Sequence, residues 1–208
     1  MTMTSNPPVI LVHGFMSTPK LMWPLKKTLE KKGLDVSFCD LSFLCIQDVR
    51  KLAEQVQRRV DQVCTDRGVE HVDLIGLSQG GVIGLCYLKI LGGAERVRRF
   101  IAVGAPVQGT SIARVATLAL GLISKGVWQV WPESELIRSL EGPLPRNVDI
   151  VSIAIEGDSV CPPKSCVIEG ARKNIVVQTG GGPLKHQMVV LSPKVLRLVR
   201  DTVLEPLP

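Results

Sequence analysis

The sequence predicts an α/β fold in which about six parallel strands form a sheet with helices on both of its faces. Short apolar runs bounded by turn residues alternate with longer amphipathic stretches along most of the 208 residues. This alternation is typical of repeated strand–helix–strand units. The length suits one domain over residues 1–208, and apolar residues make up 45% of the chain, enough for a sizeable core.

Six apolar runs carry the strand prediction. Each is bounded by turn residues and is apolar along most of its length, as strands buried on both faces are. In chain order they are PPVILVHG (7–14), LDVSFCD (34–40), HVDLIGL (71–77), VRRFIAVGAP (97–106), NVDIVSIAIEGD (147–158) and KNIVVQTG (173–180).

Amphipathic segments separate these strands and predict helices. They are PKLMWPLKKTLEKKG (19–33), residues 47–67, residues 80–91 and MVVLSPKVLRLVRDTVL (188–204). Gly33 would end the first helix, and the second places Val49, Leu52 and Val56 at helical spacing with charges on its other face. Pro193 is expected to break the first turn of the last helix.

One segment, residues 105–146, interrupts the alternation after the fourth strand. It contains the apolar stretch IARVATLALGLI (112–123) and then KGVWQVWPES (125–134). We expect a small insertion of one or two helices over the sheet. The apolar stretch is either a helix packed on the sheet or a lid-like wall for an acyl chain, and an apolar flap of this kind could also touch a lipid interface.

Composition excludes several classes of protein. The net charge of +6 comes from basic residues that are spread along the chain, and aromatic residues make up only 4%, so we expect no nucleic-acid partner. No apolar run reaches the roughly 20 residues that span a bilayer. The N-terminal MTMTSNPPVILVHGF has no basic segment before a long apolar one, so we expect a cytoplasmic protein, or a secreted one if a leader preceded this sequence.

The six cysteines are expected to be free thiols. Cys161 and Cys166 are a close pair with the wrong spacing for a zinc or redox motif, and a local disulfide between them is left open. The sequence contains no HExxH, dinucleotide fingerprint or P-loop, so we expect no metal or organic cofactor.

Polar residues follow the strands at the edge where ligands bind in such sheets. The stretch Gly76-Leu77-Ser78-Gln79-Gly80 joins the third strand to a helix. This is the pattern of a nucleophile elbow, a sharp turn that lifts the serine hydroxyl clear of the sheet. A Cβ at either glycine would crowd the neighbouring backbone.

The elbow also predicts an oxyanion hole. The helix that begins after Ser78 aims the N–H of Gln79 at the point where an oxyanion would form. A second donor is expected from the loop after the first strand, His13-Gly14-Phe15, and we assign it to the N–H of Phe15.

A serine nucleophile needs a base, and the chain has three histidines. His13 belongs to the oxyanion loop, and His71 opens the third strand at the end opposite Ser78. His186, after the last strand, is therefore the predicted base. Asp158 follows the fifth strand and is predicted to hold the Nδ1–H of His186.

The motifs VHGF, GLSQGG, GAPVQGT and EGDSVCPP, together with the late histidine, resemble the α/β-hydrolase superfamily and its compact bacterial lipase branch. The resemblance spans nearly the whole chain. It implies a minimal α/β-hydrolase fold, catalytic residues Ser78, Asp158 and His186, and oxyanion donors Phe15 and Gln79. The chain departs from the family at Leu77 and Val107, where family members often have histidine, and this makes the surroundings of Ser78 more apolar.

The predicted function is hydrolysis of short- to medium-chain acyl esters by a serine esterase or lipase. The substrate would be an acyl ester or lipid, bound in an apolar pocket. The predicted pocket residues are Met16, Leu77, Val107, Val160, Trp128 and Trp131. Two alternatives stay open: an acyl-thioesterase with the same triad, since the elbow also resembles that of palmitoyl-protein thioesterases, and a non-catalytic hydrolase-fold protein that binds a ligand or lipid. The oligomeric state is not predicted.

Overall fold

The computed structural model describes residues 6–41, 45–111, 125–179, 186 and 188–208. Within these residues, six parallel strands form one sheet in the order β2-β1-β3-β4-β5-β6. The strands are β1 (Val9–Val12), β2 (Val36–Cys39), β3 (Val72–Leu77), β4 (Val97–Val103), β5 (Asp149–Ile155) and β6 (Lys173–Val177). The predicted α/β fold with a parallel sheet is confirmed.

The helices of the described residues lie between these strands and after the last one. They are α1 (Trp23–Glu30), α2 (Val49–Arg67), α3 (Gln79–Ile90), α4 (Lys125–Gln129), α5 (Glu135–Ser139) and α6 (Pro193–Leu204). Short 3-10 turns cover Pro19–Met22, Gly93–Glu95, Pro163–Cys166 and Val189–Leu191. No helix in the described part of the chain is long and apolar enough to cross a membrane.

Prolines set where two helices begin. The predicted helix over 19–33 divides into the Pro19–Met22 turn and α1, which has Pro24 in its first turn. Pro193 was predicted to break the first turn of the helix over 188–204, and this is confirmed: Ser192 is extended and separates the Val189–Leu191 turn from α6. Pro193 is the first residue of α6, where its missing N–H costs nothing because that position has no partner inside the helix.

The core has two parts, one on each face of the sheet. On one face, strand residues such as Ile10, Leu74 and Phe100 pack with the buried sides of α2 and α3. On the other face, residues such as Leu11 and Leu77 pack with α1 and α6. Helices therefore cover both faces, and this explains why most strand positions are apolar.

A buried charge network ties α6 to the amino ends of the strands. Arg99, which is fully buried, donates from Nε to Asp149 Oδ2 at 2.7 Å and from Nη1 to the carbonyl oxygens of Thr202 and Val203 at 2.6 Å each. Burial raises the pKa of Asp149, but hydrogen bonds from Arg172 and Arg99 outweigh it and hold this pKa below its ordinary value. The network lies at the edge of the sheet opposite Ser78.

Candidate active site

Ser78 occupies a strained turn between β3 and α3. Its φ of 53° and ψ of −127° lie in a region of backbone conformation that residues other than glycine rarely adopt. A Cβ placed on Gly76 would come 2.5 Å from the carbonyl oxygen of Gly80, and one on Gly80 would collide with the carbonyl oxygen of Val12. The predicted need for glycine at both positions is confirmed.

Three strand ends bring the predicted catalytic side chains into one hydrogen-bonded chain. Ser78 Oγ lies 2.8 Å from His186 Nε2, and His186 Nδ1 lies 2.7 Å from Asp158 Oδ2. Ser78 follows β3, Asp158 follows β5 and His186 follows β6. The contacts have the arrangement in which a base can take the serine proton while a carboxylate orients that base.

Asp158 is held by more than the histidine. Its Oδ1 accepts hydrogen bonds from the backbone N–H groups of Val160 at 2.8 Å and Cys161 at 3.0 Å. Burial raises the pKa of Asp158, but the hydrogen bonds from His186, Cys161 and Val160 outweigh it, so the pKa lies below its ordinary value. The carboxylate therefore stays ionised near neutral pH and keeps the proton of His186 on Nδ1.

These backbone donors were not predicted, although the sequence carries a signal for them. Aspartate in a turn commonly accepts hydrogen bonds from the N–H groups that follow it. Asp158 stands in such a turn, Gly157-Asp158-Ser159, in which Gly157 has a φ of 70°. This stretch is the signal in the sequence for the two backbone donors.

The predicted oxyanion donors lie on two segments that meet beside Ser78. A Cβ built on Gly14 would come 3.0 Å from Ser78 Cβ and 3.1 Å from the backbone nitrogen of Gln79. The loop that carries Phe15 thus passes directly against the elbow. His13 is buried at its base with Nδ1 3.2 Å from the carbonyl oxygen of Gly14, and burial lowers the pKa of His13, so its ring is neutral near pH 7.

A mainly apolar cleft of about 360 Å³ opens beside the serine. It is lined by Gly14, Phe15, Met16, Ser17, Thr18, Leu21, Leu77, Ser78 and His186. Two of the predicted pocket residues, Met16 and Leu77, are among them. Ser17, Thr18 and Leu21 were not predicted, although their position directly after the oxyanion loop could have suggested them.

The structure places the other four predicted pocket residues elsewhere. Val107 is buried and lines a separate groove of about 370 Å³, because the chain turns after β4 towards the face covered by α3. Val160 donates a backbone hydrogen bond to Asp158 and does not line the cleft. Trp128 and Trp131 pack on each other with ring centroids 4.7 Å apart. The predicted lid or acyl-binding wall over 112–123 lies outside the described residues.

The described part of the insertion is tied to the scaffold by polar contacts. Gln79 Nε2 donates to the carbonyl oxygen of Gly126 at 3.3 Å, and Lys125 Nζ pairs with Asp48 Oδ2 at 2.7 Å. Gln129 Oε1 accepts from the first N–H of α2, that of Val49, at 2.7 Å. α4 therefore rests on the start of α2 and on the side chain of a predicted oxyanion residue.

Cys161 and Cys166 are free thiols in this structure, so the disulfide left open by the sequence is not formed. Both are buried, and Cys166 Sγ lies 3.6 Å from the carbonyl oxygen of Cys161. Burial raises the pKa of Cys166 to about 12. Within the described residues, no cluster of three or more His, Cys, Asp and Glu side chains could hold a metal ion.

The matching family model, together with the parallel sheet and the strained serine between β3 and α3, places the chain in the α/β-hydrolase superfamily, as predicted. Within it, the chain belongs to the palmitoyl protein thioesterase family, whose model matches residues 8–139. The matched part contains the oxyanion loop and the elbow and ends before Asp158 and His186.

Solved structures share this fold at low sequence identity. Lipase BlEst2 of Bacillus licheniformis in its mature form has a TM-score of 0.80 and 16% identity, covering 96% of this chain and 93% of that one. Aspergillus fumigatus lipase B has a TM-score of 0.80 and 23% identity, with 98% of this chain matched to 54% of the lipase. The esterase of Exiguobacterium antarcticum has a TM-score of 0.63 and 16% identity, covering 97% and 93%.

A curated relative matches part of the chain. The poly(3-hydroxyalkanoate) polymerase subunit PhaC of Synechocystis is 28% identical over 113 residues. The match covers 49% of this chain and 29% of the polymerase subunit, so the chain spans less than a third of that relative.

Proposed function

We propose that the protein is a serine ester hydrolase that cleaves short- to medium-chain acyl esters through a covalent acyl-enzyme. The observation that carries this proposal is the continuous hydrogen-bonded chain from Ser78 Oγ through His186 to Asp158, next to a mainly apolar cleft. The α/β-hydrolase fold and the family membership support the coarser class of hydrolase.

The first half of the reaction acylates the enzyme. His186 Nε2 takes the proton of Ser78 as Oγ attacks the ester carbonyl carbon, and the carbonyl oxygen becomes an oxyanion. The N–H groups of Phe15 and Gln79 bind that oxyanion. Asp158 stabilises the imidazolium, which then gives its proton to the leaving alcohol as the ester C–O bond breaks.

The second half regenerates the serine. His186 takes a proton from water, whose oxygen attacks the acyl carbon and again forms an oxyanion. Collapse of this intermediate breaks the bond to Ser78 Oγ, which receives the proton from His186, and releases the carboxylic acid.

The cleft supports the substrate class. Its volume of about 360 Å³ lies near the lower end of ligand pockets, and its apolar lining suits a short or medium acyl chain. Met16 and Leu21 line it and are 57% and 37% exposed. Such an apolar rim favours contact with a lipid-bearing substrate or interface.

A second candidate function is acyl-thioester hydrolysis by the same side chains. It is favoured by membership of the palmitoyl protein thioesterase family. The chemistry differs only in the leaving group, a thiol instead of an alcohol. Matched oxygen esters and thioesters of one acyl chain would separate the two substrates through their kcat/KM values.

The test is hydrolysis of p-nitrophenyl esters from acetate to palmitate by the wild type, Ser78→Ala and the control Ser139→Ala in α5. We expect turnover of short and medium esters that Ser78→Ala abolishes and Ser139→Ala leaves intact. A wild type active only on thioesters would favour the second candidate. Binding without turnover of either substrate would support a non-catalytic protein.

A further inference from the structure

A second apolar cavity lies directly behind the cleft, between the sheet and the helices α1 and α6. It is narrow, with a volume of about 10 Å³, about the smallest space that can hold one water molecule. Its wall consists of Met22, Leu25, Ile75, Leu77, Val103, Val190, Val195, Leu196 and Val199. Every one of these residues is apolar, so the cavity suits methylene groups and no polar ligand.

Leu77 separates this cavity from the cleft. It lines both spaces, together with Ser78 and Met16 on one side and with Val103 and Val195 on the other. Only 4% of its surface is exposed, and its side chain packs in the core on the α1 and α6 face. Among the described residues, Leu77 is the one that both linings share, so it is the wall between Ser78 and the inner cavity.

We infer that Leu77 is the specificity-determining residue that limits the length of the acyl chain. The inference rests on the proposed function, because the acyl group must be attached at Ser78 for its chain to point at Leu77. In the wild type the chain is confined to the outer cleft. Replacing Leu77 with alanine joins the two spaces and lets a longer chain continue between the sheet and the helices.

The expected effect follows from the atoms removed. Leu77→Ala deletes three carbon atoms, so the opened space admits about three more methylene groups in addition to the inner cavity. Each further methylene buried in the transition state is worth roughly fourfold in kcat/KM. The ratio of kcat/KM for the longer ester to that for the best wild-type ester should therefore rise by roughly tenfold to sixtyfold.

The experiment compares kcat/KM profiles over p-nitrophenyl acetate to palmitate for the wild type, Leu77→Ala and Leu74→Ala. Leu74 is the matched control, since it loses the same atoms from the same strand and is fully buried on the opposite face. We expect the optimum to move to longer chains in Leu77→Ala only. If Leu77→Ala does not fold, Leu77→Val, which removes one carbon, should move the optimum by about one methylene.

A binding measurement separates this inference from the hydrolase proposal. Titration calorimetry with straight-chain fatty acids would compare Ser78→Ala with Ser78→Ala/Leu77→Ala. Tighter binding of longer acids in the double variant supports Leu77 as the wall even if the wild type hydrolyses no ester. Folded Leu77 variants that keep the wild-type profile in both measurements would overturn the inference, while Ser78-dependent hydrolysis would still support the proposed function.

Discussion

Replacing Asp158 with asparagine should abolish most activity by placing the histidine proton on the wrong nitrogen. In the wild type, Oδ1 accepts two backbone N–H groups, from Val160 and Cys161, and Oδ2 accepts the Nδ1–H of His186. Asparagine has the same shape but only one oxygen. Its NH₂ group must therefore face either the two backbone donors or the histidine.

The two backbone donors decide this orientation. An NH₂ group turned towards Val160 and Cys161 would leave both N–H groups buried without an acceptor, at a cost of about 1–3 kcal/mol each. The opposite orientation satisfies both and puts the NH₂ group against His186 Nδ1. That nitrogen must then accept, so the proton moves to Nε2, which faces Ser78 Oγ at 2.8 Å and can no longer take its proton.

The expected loss is roughly 10³- to 10⁴-fold in kcat with little change in KM, in line with the wrong-tautomer effect in another serine triad. The assay is steady-state hydrolysis of p-nitrophenyl butyrate by the wild type, Asp158→Asn and Asp158→Ala. Alanine removes the carboxylate without imposing a tautomer on His186, so it should be at least as active as asparagine. An Asp158→Asn enzyme within tenfold of the wild type would refute this reasoning.

Three further predictions concern the scaffold. Arg99→Met should lower the free energy of unfolding in urea by about 3–5 kcal/mol, because the buried carbonyl oxygens of Thr202 and Val203 lose their donor, although Arg172 still pairs with Asp149; an unchanged urea midpoint would contradict this. The pKa of Asp149 is lower in the folded protein than in the unfolded chain. Its ionised carboxylate therefore stabilises the fold above the unfolded pKa, and this stabilisation is lost as pH falls through the folded pKa. The difference in unfolding free energy between the wild type and Asp149→Asn should shrink from pH 7 to below about pH 4. Gly80→Ala should lose activity, because the added Cβ would collide with the backbone of the oxyanion loop. Gly33→Ala meets open space and should lower only the free energy of unfolding, by about 1–2 kcal/mol. Equal losses of activity in the two variants would argue against the collision.

The strands and the elbow could be predicted because their signals are local. Strands buried on both faces must be apolar at almost every position, and the contacts at Gly76 and Gly80 leave no room for a side chain. The position of His186 followed from the small number of histidines and from the rule that parallel strands end at one edge. None of these inferences needed the conformation of a loop.

The walls of the cleft could not be predicted because loop conformation decides them. Met16 has a φ of 47°, and Leu21 lines the cleft beside the serine although its sequence pattern assigns it only to a helix. The strand predicted over 97–106 ends at Val103, and the turns that follow it carry Val107 to another groove. The backbone N–H groups that support Asp158 were missed for another reason, since an aspartate in a turn does signal such contacts.

The hydrogen bonds between Arg99 and the end of α6 set the order in which parts of the chain can fold during synthesis. Arg99 lies in β4, but its acceptors include carbonyl oxygens as far along the chain as Glu205 and Pro206. A buried guanidinium without acceptors is unfavourable, so this face of the sheet can close only after residue 206 has left the ribosome. Translation proceeds at about 5–20 residues per second, so the apolar face of β4 stays uncovered for roughly 5–20 s before residue 206 has been made. The fold is therefore completed only after translation has passed the last helix.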